Sequence, residues 1–308
     1  MPSDRAYGRI PVEFPSAPFP TKDIFGAFIT SFLPDNVQAR TRRLANFELQ
    51  LRWWRQMTDM PVHVVISNWT DSERDGCAEL GALTERGGTI TEKPAQPIIL
   101  NRNACLAAFY ASSHRWGIIM DDDAVLYHSP KHNSGGRFFA EMAAQPADAY
   151  DGIDVFFPIN PAKMPGQNQI WKKDPQLYES SHVFQANYDL KGSMFIVRNF
   201  ALEGKEPVLP PATFAGHGED TLFAIEAISK GYGVFRCDNI VLKEFSGPSN
   251  FSHTRDVMKE GNQEIAQLYA DQGLRMNQLP KPEHLLDRKE FLARCLPETS
   301  KQIVVSKP

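Results

Sequence analysis

The first 126 residues alternate between continuous apolar runs and helically spaced apolar residues. The apolar runs at 24–32, 61–69 and 116–120 are typical of strands that are buried on both faces of a sheet. Between the first two runs, residues that recur at helical spacing predict an amphipathic helix, and they are Val37, Leu44, Phe47, Leu51 and Trp54. The chain is therefore predicted to begin as strand, helix, strand.

A third strand and a second helix are predicted before the run at 116–120. The segment 87–93 is expected to be a short strand after a Gly-Gly turn, and Asn101 or Asn103 is expected to cap a helix over 104–114. Strands that alternate with helices predict an α/β fold with a mostly parallel central sheet flanked by helices. In such sheets, ligands collect at the carboxyl ends of the strands.

The pattern is less regular after residue 126. Apolar runs predict strands at 154–161 and 192–200, and the stretch between them, 162–191, is polar and contains prolines. A helix is predicted over 216–233 and a final strand over 234–245. No segment repeats another, which excludes a repeat architecture.

The composition fits a globular protein with a sizeable core. The chain has 308 residues, of which 42% are hydrophobic and 23% charged. Its formal net charge of -4 excludes the global positive field that attracts nucleic acid, although a local basic patch stays open. The cysteines are single and widely spaced, so they form no zinc motif and are expected to be reduced thiols: Cys77, Cys105, Cys237 and Cys295.

The N-terminal residues carry no apolar core of signal-peptide length. No stretch approaches the roughly 18 apolar residues that a membrane span requires. We therefore expect a cytoplasmic protein with no membrane partner, located in the host cytoplasm if it is phage-encoded.

Three adjacent carboxylates follow the apolar run at 116–120. Asp121, Asp122 and Asp123 repel one another there unless a cation or a set of donors compensates them. Because alternate side chains of an extended segment share a face, Asp121 and Asp123 are expected to converge while Asp122 points away. Such a pair, together with phosphate oxygens, suits Mg²⁺ or Mn²⁺. The alternative is a polar turn whose carboxylates cap local amides.

An Asp-x-Asp pair at the end of an apolar strand, preceded by an Arg-Asn helix, resembles the nucleotide-sugar half of GT-A glycosyltransferases. The residues that carry the resemblance are NRNACLAAFYASSHRWGIIMDDDAVL. It implies that Asp121 and Asp123 hold the Mn²⁺ or Mg²⁺ ion that bridges the diphosphate of a nucleotide-sugar donor, expected to be a UDP-sugar. It also implies donor-binding contacts, for which the candidates are Thr30, Arg102, Asn103, Asp121 and Asp122.

The stretch GHGEDTLF resembles the acidic xED motif of the same class. We expect a helix to open at Gly218 or Glu219, and a helix N-terminus stabilises carboxylates. In inverting members the Asp of the motif takes the proton of the acceptor hydroxyl, which implies Asp220 as base with Glu219 beside it. The other interpretation of these acids is helix capping. His253, in FSHTRD, is the implied third metal ligand.

The resemblance implies one GT-A-like catalytic domain over 23–278 with an acceptor-side extension. Residues 23–130 would be its nucleotide-sugar half and 131–278 its acceptor half. The proline-rich segment 1–22 is expected to be an extended arm rather than a packed element, and 279–308 a peripheral tail.

The acceptor is expected to be a hydroxyl group. One candidate is a hydroxymethylated or already glycosylated base in DNA, as in phage-type DNA-base glycosyltransferases, because arginines of the helix at 40–55 could follow phosphates. A solvated helix face is the alternative explanation of those arginines. Candidate acceptor contacts combine aromatic and basic side chains, and they are Trp171, Lys172, Tyr178 and His217.

Three other functions fit part of the pattern. Asp121-x-Asp123 also matches the opening motif of haloacid-dehalogenase-type phosphatases, but that motif opens its fold and here two or three strand-helix units precede it. A sugar nucleotidyltransferase would use the same metal and release pyrophosphate. A non-catalytic binding module would use the carboxylates without turnover.

Overall fold

A computed structural model describes residues 14–21, 24–127, 135–160, 181–186, 190, 193–211, 218–245 and 302–306. Every strand and helix described below lies within these ranges. Ten of the elements are strands of one sheet system, and the helices cover the two faces of the sheet. The predicted α/β class is confirmed.

The first half of the chain forms the parallel part of the sheet. Its strands are β1 (Phe25–Phe32), β2 (Val62–Ser67), β3 (Thr89–Lys93) and β4 (Trp116–Asp121). They lie in the order β3-β2-β1-β4, and β1 pairs in parallel with both β2 and β4. The apolar runs of the sequence correspond to these strands because both faces of each are covered.

The second half extends the sheet beyond β4. Its strands are β5 (Ala124–Leu126), β6 (Val155–Ile159), β7 (Ser181–Ala186), β8 (Met194–Arg198), β9 (Val234–Glu244) and β10 (Gln302–Ser306). The order continues β4-β8-β6-β9-β7-β10, with β8 antiparallel to β4 and β6 parallel to β9. β7 lies within the stretch 162–191, for which the sequence predicts no strand. β10 lies in the predicted C-terminal tail and forms an edge of the sheet.

The helices are α1 (Val37–Met57), α2 (Asp71–Gly76), α3 (Ala78–Thr84), α4 (Ile98–Tyr110), α5 (Gly136–Ala143) and α6 (Glu219–Ser229). The sheet separates two apolar cores, and successive side chains of β1 point alternately toward one core and the other. Phe25, Ala27 and Ile29 join the core beneath α1 and α5, whereas Phe28 joins the core beneath α4 and α6. The sheet is therefore a middle layer.

Two predictions about the helices were wrong. Val37 is 73% exposed, because the buried residues of α1 begin at Phe47, where the helix reaches the sheet. α4 begins at Ile98, directly after Pro97, so Asn101 and Asn103 lie inside the helix rather than at its cap. Proline has a fixed φ near that of a helix and needs no N–H partner there, so it starts a helix without a side-chain cap.

Residues 14–21 differ from the expected extended arm. The Phe19 N–H donates to the Met57 carbonyl at 2.9 Å, and the Asp59 N–H donates to the Phe19 carbonyl at 3.0 Å. Thr21 is buried, and its N–H donates to the Asp59 carboxylate at 2.6 Å. This part of the arm is attached to the end of α1 by hydrogen bonds.

Among the described residues, no helix is long and apolar enough to cross a membrane. Cys77, Cys105 and Cys237 are buried free thiols, and Cys295 lies outside the described residues.

Gly117, in β4, packs directly against Phe109 of α4. A Cβ atom at this position would lie 2.6 Å from ring carbons of Phe109, which is fully buried. Overpacking of a filled core typically costs about 1–3 kcal/mol. We expect Gly117→Ala to lower the free energy of unfolding by about that amount, measured by urea denaturation.

Gly81→Ala is the matched control, because nothing lies within 4 Å of a Cβ atom at Gly81 in α3. Alanine in a helix interior is favoured over glycine by about 0.8–1 kcal/mol. The control should therefore be neutral or stabilising. Equal stability of Gly117→Ala and the wild type would contradict the close packing of α4 on β4.

Candidate active site

The acidic turn, Asp121 to Asp123, links β4 to β5 at the carboxyl end of β4. Asp121 is the last residue of β4 and is paired in register with Thr30 of β1. Its N–H donates to the Ser193 carbonyl at 3.1 Å, and the Asp123 carbonyl accepts from the Phe245 N–H at 2.7 Å. The turn is thus fixed by backbone hydrogen bonds to the second half of the chain.

The three carboxylates differ in exposure. The side chains of Asp121 and Asp123 are 25% and 29% exposed, whereas that of Asp122 is 0% exposed. This is the alternation expected of an extended segment. The outer two carboxylates can reach a ligand, and the middle one faces the protein interior.

A buried guanidinium joins the acidic turn to the xED segment. Arg102, in α4, has 0% exposure, and its Nη2 lies 2.7 Å from Oδ1 of Asp121 and 3.5 Å from Oε1 of Glu219. Burial opposes the charge of Arg102, but the nearby Asp121 and Glu219 carboxylates outweigh it and raise the pKa of Arg102. Asp121 and Glu219, which belong to different halves of the chain, therefore share one cation, and Arg102 and Glu219 are 117 positions apart in sequence.

A second guanidinium reaches the same turn from the opposite side of the sheet. Arg43, in α1, forms an ion pair with Asp122, and its Nη1 lies 3.4 Å from Oδ2 of Asp123. The Ser31 hydroxyl donates to Oδ2 of Asp122 at 2.5 Å. The compensating charge that the three acids require is thus supplied in part by the protein itself.

The carboxylates of the site outnumber these two arginines, and the pKa values of several of the carboxylates are raised. Burial and the neighbouring carboxylates raise the pKa of Asp123 to about 7 against the lowering effect of Arg43. Burial likewise raises the pKa of Asp122 and of Glu219, for Glu219 with a contribution from Asp220. A divalent cation placed at this turn would relieve that repulsion.

The donor set fits a hard divalent cation. Asp121 and Asp123 offer partly exposed carboxylates, whose oxygens are the ligands that Mg²⁺ and Mn²⁺ prefer. In the part of the chain that the structure describes, no group of three His, Cys, Asp or Glu residues is arranged to hold a metal. Two carboxylates plus diphosphate oxygens and water would complete the shell. The predicted third ligand, His253, lies outside the described residues.

The xED segment opens α6 as predicted. Gly218 has a φ of 109°, a conformation that favours glycine, and the helix begins at Glu219. Glu219 is buried against Arg102, whereas Asp220 is partly exposed in the first turn. Both acids lie at the positive end of the helix dipole.

The remaining predicted donor residues have internal contacts. Thr30 is buried beside Asp121, and the Asn103 amide donates to the Pro210 carbonyl at 2.8 Å. Contacts of these two residues, and of Arg102 and Asp122, with a donor stay predictions. The candidate acceptor residues all lie outside the described residues: Trp171, Lys172, Tyr178 and His217.

Arginines of α1 form ion pairs within the protein. Arg40 pairs with Glu73 at 2.5 Å, while Arg52 and Arg55 pair with Glu79 at 3.5 and 2.9 Å. With Arg43, four of the five arginines that suggested a phosphate-tracking helix are engaged in this way. The argument for a DNA acceptor from this helix is therefore lost.

Sequence reasoning missed Arg43 and Gln50 at this site. Gln50 is fully buried in α1, and its amide donates to the carbonyls of Asp121 and Ala124 at 2.7 and 2.6 Å. The available signal was the presence of polar residues at 43 and 50, seven positions apart on one face of an otherwise apolar-facing helix.

No protein-family model and no curated protein matches the sequence, whereas solved structures do. The chain superposes on GalNAc-T7, crystallised with UDP, GalNAc and Mn²⁺, with a TM-score of 0.51 at 9% identity. The alignment covers 88% of this chain and 55% of that one. This chain has a GT-A-like fold. The fold explains why the acidic turn lies at the carboxyl end of a central strand.

Two further solved structures are similar over most of this chain. S. aureus TarS is 16% identical, with 88% of this chain and 43% of that chain covered and a TM-score of 0.46. The mannosyltransferase PcManGT from Pyrobaculum calidifontis, crystallised with GDP-Man and Mn²⁺, is 12% identical. It covers 94% of this chain and 79% of its own, with a TM-score of 0.49. The chain thus spans less than half of TarS and about half of GalNAc-T7.

Proposed function

We propose that the protein is a metal-dependent glycosyltransferase that moves a sugar from a nucleotide-sugar donor, a UDP-sugar, to an acceptor hydroxyl. One observation carries the proposal: Arg102 holds Asp121 of the acidic turn and Glu219 of the xED segment around one buried cation. This contact supports a site in which a donor-side pair would lie beside an acceptor-side acid. The resemblance of the motifs and the GT-A-like fold support the same assignment.

Asp121 and Asp123 would hold Mn²⁺ or Mg²⁺, which supplies electrostatic stabilisation of the diphosphate as it leaves. The chain's own residues do the rest. Arg102 orients Asp121, because its buried guanidinium lies 2.7 Å from the Asp121 carboxylate. Asp121 then presents its exposed edge toward the donor.

Asp220 is the proposed base. It is partly exposed in the first turn of α6, at the positive end of the helix dipole, and Glu219 beside it is held by Arg102. Asp220 would accept the proton of the acceptor hydroxyl as that oxygen attacks the anomeric carbon from the face opposite the leaving group. The reaction would invert the configuration at that carbon.

The acceptor is proposed only as a hydroxyl compound, and a hydroxymethylated or already glycosylated base in DNA is one class to test. The α1 arginines no longer argue for it, so the remaining support is the basic and aromatic residues predicted at 171–178. Salt-sensitive binding to duplex DNA would favour this class, since phosphate contacts release counterions.

The protein should bind a nucleotide sugar in the presence of Mn²⁺ and hydrolyse it slowly without acceptor. Calorimetry and nucleotide release, measured over a panel of UDP- and GDP-sugars, provide the test. We expect one donor to bind with micromolar affinity, which is typical of enzyme substrates, and a chelator to abolish the binding.

Three other outcomes would contradict the proposal. Release of pyrophosphate from a nucleoside triphosphate would identify a nucleotidyltransferase. Hydrolysis of an aryl phosphate that depends on Asp121 would identify a phosphatase. Donor binding with no turnover under any condition would indicate a binding module.

A further inference from the structure

One face of α1 makes side-chain hydrogen bonds to the backbone of the acidic turn. Gln50, which is fully buried, donates its two amide hydrogens to the carbonyls of Asp121 and Ala124 at 2.7 and 2.6 Å. Asp121 is the first residue of the acidic turn, and Ala124 is the first residue after it. A single side chain therefore fixes the distance between the two ends of the turn.

The same face of α1 also contacts the side chain of Asp122, the middle residue of the turn. Arg43 lies two helical turns before Gln50 and forms an ion pair with Asp122, while the Ser31 hydroxyl donates to the other carboxylate oxygen at 2.5 Å. A carboxylate with no exposure is costly unless it is paired and hydrogen-bonded. Asp122 satisfies that condition through β1 and α1 and is anchored between them.

Arg43 also extends from this anchor to an exposed carboxylate. Its Nη1 lies 3.4 Å from Oδ2 of Asp123, so one planar guanidinium contacts both Asp122 and Asp123. Arginine can make two such contacts in a fixed geometry, whereas lysine carries one compact charge. The orientation of Asp123 is thus coupled to the burial of Asp122.

We propose that Arg43, Ser31 and Gln50 are positioning residues, and that Asp122 is an internal anchor rather than a ligand of the donor. Through Asp122 and the turn backbone they hold Asp121 and Asp123 in the orientation that a metal diphosphate requires. This inference rests on the proposed function. It assigns the middle acid a role opposite to the donor contact predicted from sequence.

The two roles of Asp122 predict different coupling between variants. If Asp122 acts through Arg43, then Arg43→Met and Asp122→Asn disturb the same unit and their effects do not add. If Asp122 contacts the donor itself, the Asp122→Asn change removes a further contact, and the double variant loses more affinity than either single variant. Ser31→Ala, which removes only one hydroxyl, disturbs the anchor with little change of volume.

The test measures Mn²⁺ affinity by electron paramagnetic resonance and UDP affinity by calorimetry with Mn²⁺ present. Loss of a residue that orients a metal ligand typically weakens metal binding about 10- to 100-fold. We expect Arg43→Met and Asp122→Asn each to weaken Mn²⁺–UDP binding by that factor, and the double variant to lose no more than the worse single one. Arg43→Lys should retain an intermediate affinity because it keeps a charge beside Asp122.

Arg55→Met is the matched control, since Arg55 lies in the same helix but has a 44% exposed side chain that pairs with Glu79, away from the acidic turn. Its Mn²⁺–UDP affinity should equal that of the wild type. Thermal unfolding confirms that each variant is folded at the assay temperature, and Arg43→Lys and Ser31→Ala keep the test decisive if Arg43→Met does not fold.

Two results would overturn the positioning role alone: wild-type affinity in the Arg43 and Ser31 variants, or additive losses for Arg43→Met and Asp122→Asn. Failure of the wild-type protein to bind Mn²⁺ and UDP would instead overturn the proposed function, and the positioning role with it.

Discussion

Replacing Asp121 or Asp123 by alanine is expected to abolish Mn²⁺-dependent binding of the nucleotide sugar. These two carboxylates are the exposed members of the acidic turn, and no His, Cys, Asp or Glu triad within the described ranges would replace them as metal ligands. Without either carboxylate, the diphosphate faces the remaining acids with no cation between them. Calorimetric titration of each variant with the donor, with and without Mn²⁺, measures the loss.

Asp71→Ala is a suitable control, because the Asp71 side chain is 88% exposed in α2 and pairs only at the surface with Arg74. Its donor affinity should match that of the wild type. If Asp121→Ala or Asp123→Ala bound the donor as tightly as the wild type, the acidic turn would not be the diphosphate site, whatever the sugar.

Replacing Asp220 by asparagine is expected to lower turnover about 10²- to 10⁴-fold while donor affinity is retained. Asparagine has nearly the same shape as aspartate but cannot take a proton, so the acceptor hydroxyl would attack without general-base help. Asp220 lies in the first turn of α6 and not in the acidic turn, which is why binding and turnover should separate. Turnover is measured as the steady-state kcat, and donor affinity as the calorimetric Kd.

Glu226→Gln removes a partly exposed acid from the same helix, two turns beyond Asp220, and should leave kcat unchanged. A fully active Asp220→Asn enzyme would show that another group takes the proton or that none is needed. The inverting assignment would then be wrong, while the donor site at the acidic turn would still stand.

The candidate site concentrates carboxylates, and the two arginines explain how the fold tolerates them. Arg102 and Arg43 approach the acidic turn from opposite faces of the sheet, one from α4 and one from α1. Each neutralises a carboxylate that burial would otherwise make costly. The turn can therefore stay folded before a metal binds, and the two outer acids stay directed outward.

The order of β1, α1, β2, β3, α4 and β4 was readable from the sequence, whereas α2, α3, β5, α5, β7 and β10 were not predicted from it. Each parallel strand is buried on both faces, so its apolar run is continuous, and each covering helix repeats its apolar residues at helical spacing. The acidic turn and the xED helix were readable for a related reason. Asp121 directly follows an apolar run, and Glu219 and Asp220 follow a glycine at a helix start, so both patterns are local.

Only the tertiary structure decided which charges meet. Ser31 and Asp122 are 91 positions apart, Arg43 and Asp123 are 80 apart, and Arg102 and Glu219 are 117 apart. Local periodicity shows which face of a helix a residue occupies, but the partner on that face depends on strand order and on how the helix crosses the sheet. For this reason the sequence determined the acids of the site, and the fold alone determined that arginines of α1 and α4 hold them in place.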